Sequence, residues 1–161
     1  MKIFVFSDSH GNTLLMNDVL QKQRGNYDHI IHLGDCCTDT RYIEPIIGIT
    51  PLISVMGNCD SYYARHEYAE EKVLELYGKR FLICHGHKYG VKNSLELLTQ
   101  KARAEKCDIA LFGHTHCALL EKRENVYLFN PGTIGAPSVR GNTYGIITIE
   151  DEKCEFKIVN I

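Results

Sequence analysis

Apolar residues along this 161-residue chain come in short blocks, separated by polar breaks that often carry glycine. The block from Lys2 to Ser7 is continuous, as expected of a strand covered on both faces. Leu14, Leu15, Val19 and Leu20 then recur at helical spacing, with Asn12 or Thr13 placed to cap them. His29 to Leu33 reads as a second strand ending in Gly34-Asp35, and Leu52 to Met56 as a third ending in Gly57-Asn58. This strand–helix–strand alternation predicts parallel pairing through right-handed crossovers. Lys72 to Leu76 and Arg80 to Cys84 flank Tyr77-Gly78-Lys79 and predict a hairpin. Ser94 is placed to cap a helix reaching about Lys106, with Leu95, Leu98 and Ala102 on one face. Ile109 to Phe112 is a further strand. Beyond it the pattern is all β: Ala118 to Leu120, Val126 to Phe129, Tyr144 to Ile149 and Glu155 to Val159. In the last of these Phe156 and Ile158 alternate with Lys157, so one face should be wet. The expectation is an α/β fold, a layered β-sandwich flanked by helices, forming a single domain over 1–161.

Composition narrows the class of protein. Apolar residues make up 44% and charged residues 24%, and the formal net charge is -2. That balance exerts no broad pull on nucleic acid or anionic membrane, so both are disfavoured as partners. No apolar stretch reaches the ~18 residues that span a bilayer. The apolar run after Met1-Lys2 stops at Ser7-Asp8, too soon for a signal-peptide core. Seven cysteines in no framework spacing, including vicinal Cys36-Cys37, predict free thiols and a cytoplasmic setting. A homo-oligomer is compatible with this composition.

The chemistry lies just beyond the predicted strands. Asp8 and His10, Asp35, Asn58, His85, and the pair His114 and His116 each follow a strand end, where ligand sites form in open α/β sheets. Glycine stands beside most of them (Gly11, Gly34, Gly57, Gly86, Gly113), which suggests sharp turns that aim the side chains inward. Seven donors are too many for one tetrahedral ion and suit two ions sharing a carboxylate. Two aspartates against two divalent ions leave a site of about +2 that would attract an anionic phosphate ester and acidify a bridging water. Nitrogen-rich ligation favours Mn, Fe, Co, Ni or Zn over Ca or Mg.

Asp8-Ser9-His10, Gly34-Asp35, Gly57-Asn58, His85 and Gly113-His114-Thr115-His116 together resemble the calcineurin-like metallophosphoesterases, in the right order over nearly the whole chain. Gly57-Asn58-Cys59-Asp60, His85-Gly86-His87 and Asn130-Pro131-Gly132-Thr133 resemble the family's small prokaryotic phosphodiesterase branch. The resemblance implies a β-sandwich flanked by helices, and hydrolysis of small or activated phosphodiesters by attack of a metal-bridging hydroxide. It implies that Asp8, His10, Asp35 and His116 hold one ion, and Asp35, Asn58, His85 and His114 the other, with manganese the expected metal. One position departs from the pattern. Many members carry histidine after the metal-binding asparagine, and here that residue is Cys59. A thiol is a weak donor, so His87 is the alternative candidate for protonating the leaving group or binding the phosphate. Two rival readings remain open: a protein-binding scaffold, as in a retromer coat subunit resembling this fold, and a nuclease.

Other polar residues carry plainer expectations. His29 and His32 should be packed or hydrogen-bonded, His66 solvated, Asp60 a turn or cap, and Cys36 a small packing residue. Asn130-Pro131-Gly132 reads as a turn and Arg140 as a surface residue. Nothing in Tyr62-Tyr63 identifies the substrate.

Overall fold

Along the first strand, β1 (Lys2–Phe6), successive side chains leave the sheet in opposite directions. Ile3 and Val5 enter a core shared with Phe81, Ile83, Ile109 and Leu111 of a facing sheet. Phe4 and Phe6 pack instead among Met16, Val19 and Leu20 on the outer side. Both faces are covered, which is why the run is apolar throughout. The computed structural model describes residues 1–138 and 141–161, so the expectation for Arg140 lies outside the described residues.

After β1 the chain forms α1 (Leu14–Lys22), β2 (His29–His32), α2 (Glu44–Ile47), β3 (Leu52–Ser54), β4 (Glu71–Leu76) and β5 (Lys79–Cys84). It continues with α3 (Glu96–Ala104), β6 (Ile109–Leu111), β7 (Leu119–Arg123), β8 (Val126–Asn130), β9 (Thr143–Glu150) and β10 (Lys153–Asn160). Two five-stranded sheets result, ordered β10-β9-β1-β2-β3 and β4-β5-β6-β8-β7. The pairs β1–β2, β2–β3, β5–β6 and β6–β8 are parallel, the first two as the alternation predicts. Helices α1 and α2 cover the outer face of the first sheet, and α3 covers that of the second through Leu98 and Ala102. The layers therefore run helix, sheet, sheet, helix. In β10, Phe156 and Ile158 pack on the inter-sheet core while Lys157 is exposed, the expected alternation.

Some local expectations change. Thr13 stands before α1 but makes no side-chain capping bond. The Ser94 hydroxyl accepts from Glu96 N at 3.1 Å, but the N-cap position is Leu95, which makes no side-chain capping bond; α3 stops at Ala104 and Lys106 turns left-handed at φ 55°. The β4–β5 turn is the two residues Tyr77 and Gly78 (φ 52° and 74°), and Lys79 already belongs to β5. Three short 3-10 turns, Cys37–Tyr42, Tyr62–His66 and His87–Tyr89, are absent from the sequence reading because such short pieces carry no periodic signal.

Candidate metal centre

The loops leaving β1, β2 and β6 turn sharply, and the candidate ligands themselves take the left-handed backbone. Asp8 (φ 56°), His10 (48°), Asp35 (55°), His114 (67°) and His116 (56°) all do so. Non-glycine residues occupy that region at a cost and gather at functional sites. The flanking glycines serve close approach as much as turning. A Cβ on Gly57 would lie 2.1 Å from Asp35 Oδ1, and one on Gly113 would lie 1.9 Å from Ser7 Oγ. Gly57 lets two loops of the first sheet meet, and Gly113 lets a loop of the second sheet meet one of the first.

Two groups of donors result. Asp8, His10, Asp35 and His116 offer ligand atoms within 4.8 Å of one another, and so do Asp35, His85 and His114. His116 Nε2 lies 3.2 Å from Asp8 Oδ1 and 3.3 Å from His10 Nε2. Asp35 divides its oxygens: Oδ2 is 3.6 Å from His10 Nε2, and Oδ1 is 3.3 Å from His85 Nε2. Supporting contacts fix the rings and carboxylates. His85 Nδ1 lies 2.8 Å from the Leu33 carbonyl, the tautomer that frees Nε2 to act as a ligand. Asp8 Oδ2 accepts from Ser7 Oγ at 2.5 Å and from His114 N at 3.1 Å, so Oδ1 faces the cluster.

The donor set fits divalent cations. Asp8 Oδ1 and His85 Nε2 are buried and have no hydrogen-bond partner among the described residues, although they stand only 3.9 Å apart. Orphaned buried polar atoms are costly, and a cation in each donor group would satisfy one of them. The field has the right sign. Burial pushes the Asp35 carboxyl up, yet the adjoining His85 and the Cys59 N–H outweigh it and hold it well below the usual range. Burial likewise pushes His85 down, but the carboxylates of Asp35 and Asp8 raise it overall. His114 is depressed to about 4 by burial and by His85 and Lys92, and so presents a neutral imidazole.

The remaining candidates sit at the rim. Asn58 is exposed, and its side-chain amide donates to Cys59 Sγ at 3.3 Å. Its link to the cluster runs through the next residue, whose N–H donates to Asp35 Oδ1 at 2.9 Å. Burial and the Asp35 carboxylate raise the Cys59 thiol to about 11, keeping it protonated. The His87 ring stands 5.4 Å from that of His85 and 6.1 Å from that of His114, beside the second group.

Several supporting contacts join residues far apart in sequence, with His32 hydrogen-bonded and Asp60 capping as expected. Ser9 Oγ lies 3.1 Å from His32 Nε2 and donates to Asp39 Oδ2 at 2.7 Å, and the same oxygen accepts from Gly11 N at 2.8 Å. This buried relay ties the Asp8–Gly11 loop to the end of β2. Asn130, expected in a turn, instead ends β8 fully buried and donates to the Gly113 carbonyl at 2.8 Å and to Thr115 Oγ1 at 3.1 Å. It braces the loop that carries His114 and His116. Asp60 acts as a clamp, accepting from Cys37 N and Gly57 N, both at 2.7 Å. His29 meets the Tyr77 hydroxyl at 2.6 Å, and His66 is exposed, as expected. Polar residues inside apolar blocks, such as His32, are the one sequence signal for such braces.

The sequence matches the calcineurin-like phosphoesterase superfamily domain over residues 1–152. This chain belongs to that family. It is 32% identical to the phosphodiesterase YfcE of Escherichia coli K12, over 91% of this chain and 87% of that protein. A conserved uncharacterized protein of Streptococcus pneumoniae, described as a predicted phosphoesterase, superposes with a TM-score of 0.80 at 28% identity, covering 99% of this chain and 88% of that one. Vps29 from Entamoeba histolytica, in a structure with Zn2+, shares the fold with a TM-score of 0.76 at 21% identity, over 99% of this chain and 98% of that one. The family binds divalent metals, and the two donor groups are its candidate ligands in this chain. No helix among the described residues is long and apolar enough to cross a membrane.

Proposed function

We propose that this chain is a phosphodiesterase dependent on two divalent transition-metal ions, acting on small or activated phosphodiesters. The observation that carries the reading is the division of Asp35, one oxygen toward each donor group. Asp8, His10, Asp35 and His116 would hold one ion, and Asp35, Asn58, His85 and His114 the other. When bound, such a pair supplies positive charge for the phosphoryl oxygens and lowers the pKa of coordinated water toward neutrality. The protein's own part is to hold His85 in one tautomer through Leu33 and to aim the Asp8 and Asp35 oxygens inward. Cys59 and His87 flank the second group and are the neighbouring proton donors for a departing oxygen. A thiol hydrogen-bonds weakly, so diesters with poor leaving groups should react slowly, by up to ~10²–10⁴-fold. Manganese is the proposed metal, within the set that nitrogen-rich sites accommodate. All seven cysteines are unpaired, which supports a reducing, cytoplasmic setting.

Vps29 keeps the scaffold reading in view, since it shares the fold. The enzyme reading is favoured because all seven ligand positions are filled in this chain. The test is hydrolysis of bis(4-nitrophenyl) phosphate before and after exhaustive chelation. Turnover should vanish on chelation and return with manganese, whereas undiminished turnover in the stripped protein would overturn the proposal.

A further inference from the structure

A cavity of about 470 Å³ is lined by Asn58 and His87, and the His87 ring stands 5.4 Å from that of His85 in the second donor group. Tyr62, Arg65, Glu70 and Lys88 line it as well. Tyr62 is 70% exposed and Tyr63 80% exposed, with their rings edge to face at 6.2 Å. Both sit on the 3-10 turn Tyr62–His66, which Ser61 caps by accepting from Tyr63 N at 3.3 Å. The Arg65 guanidinium lies 5.1 Å from the centre of the Tyr62 ring. Arg65 and Lys88 both pair with the single carboxylate of Glu70. His87 Nδ1 is buried without a hydrogen-bond partner among the described residues.

We propose that this cavity receives a planar aromatic or heteroaromatic ring on one ester arm of the diester, stacked on Tyr62. The inference rests on the phosphodiesterase reading, because a phosphoryl group at the metal centre would direct an ester arm past Asn58 and His87. A cavity of this size matches the range that holds small organic ligands. A tyrosine ring offers a flat apolar face at little cost in side-chain entropy. An aliphatic arm would press hydrocarbon against Arg65, Lys88 and Glu70 and strip their hydration without return. A second phosphate is disfavoured, since the carboxylates of Asp60 and Glu70 in the lining balance the cations Arg65 and Lys88. A ring with polar edges can instead stack on Tyr62 while Arg65 and Lys88 meet its substituents.

Titration calorimetry on the manganese-loaded protein tests this independently of turnover. The probes are diphenyl phosphate, the non-planar dicyclohexyl phosphate of similar size, and a thymidine methyl phosphodiester. Diphenyl phosphate should bind more tightly than dicyclohexyl phosphate. Tyr62→Ala should weaken it by about 5- to 20-fold, as expected for a lost stacking partner. Tyr62→Phe should restore the affinity, while metal content and melting temperature stay unchanged in both variants. Tighter binding of the thymidine diester would assign the ring to a nucleobase, and the reverse order to a simple aryl group. Equal loss for the planar and non-planar probes in Tyr62→Ala, or loss for neither, would overturn the inference. Absence of diester hydrolysis with intact planar-ring selectivity would count against the phosphodiesterase reading alone.

Discussion

His32 lies at the end of β2, fully buried, with Nδ1 accepting from Gly34 N and Nε2 facing Ser9 Oγ. Burial lowers its pKa to about 4, against the opposing pull of Asp8 and Asp39. Unfolded, the same ring titrates at about 6.5, so the unfolded chain takes up the proton first on acidification. The stability this neutral ring preserves is complete above about 6.5 and is lost as pH falls toward about 4, a difference of roughly 3 kcal/mol. Urea unfolding across that interval should show the decline, and His32→Gln should flatten it. Burial depresses His114 and His87 in the same direction, so part of the slope should survive the substitution. A slope identical in both chains would mean that His32 is not a neutral structural group. At this scale the seven ligand candidates are legible in the sequence because each is a metal-competent side chain placed just past an apolar run. The Ser9–His32–Asp39 relay is not legible. Its members lie 23 and 30 residues apart, and only the fold brings them together.

Among the elements, the strands are legible to within a residue or two because alternating burial and continuous apolar runs mark them, except β7, which runs three residues past the expected Leu120 to Arg123. The hairpins share one device: Tyr77-Gly78, Glu124-Asn125 and Asp151-Glu152 are two-residue turns with both residues left-handed. The last two pairs contain no glycine, which explains why composition alone under-reports them. The 3-10 turns are held by contacts distant in sequence, such as Asp60 Oδ1 to Cys37 N. Loop closeness is equally invisible to periodicity, and Gly57 illustrates it. An added Cβ there would lie 2.1 Å from Asp35 Oδ1 and 2.5 Å from Asp35 N, against both side chain and backbone. Gly57→Ala should therefore displace the shared carboxylate while the core, which it does not touch, stays folded. Manganese affinity should fall by about 10- to 100-fold, the usual cost of disturbing a ligand's support. Unchanged affinity in the folded variant would show that Asp35 does not set the metal geometry.

Across the whole molecule, the candidate ligands divide between the two sheets. Asp8, His10, Asp35 and Asn58 follow strands of the first, while His85, His114 and His116 follow strands of the second. Neither sheet holds a complete donor group, so the site exists only once the sandwich has closed on Ile3, Val5, Phe81, Ile109 and their neighbours. The hydrophobic pattern that predicts two layers thus also positions the chemistry. We propose that the closed sandwich holds two ions through one shared aspartate. Counting bound manganese per chain by mass spectrometry, after removal of free metal, tests it most directly. Close to two ions per chain, with both sites weakened in Asp35→Ala, is the expected result. One ion per chain, or an unchanged count in Asp35→Ala, would contradict it.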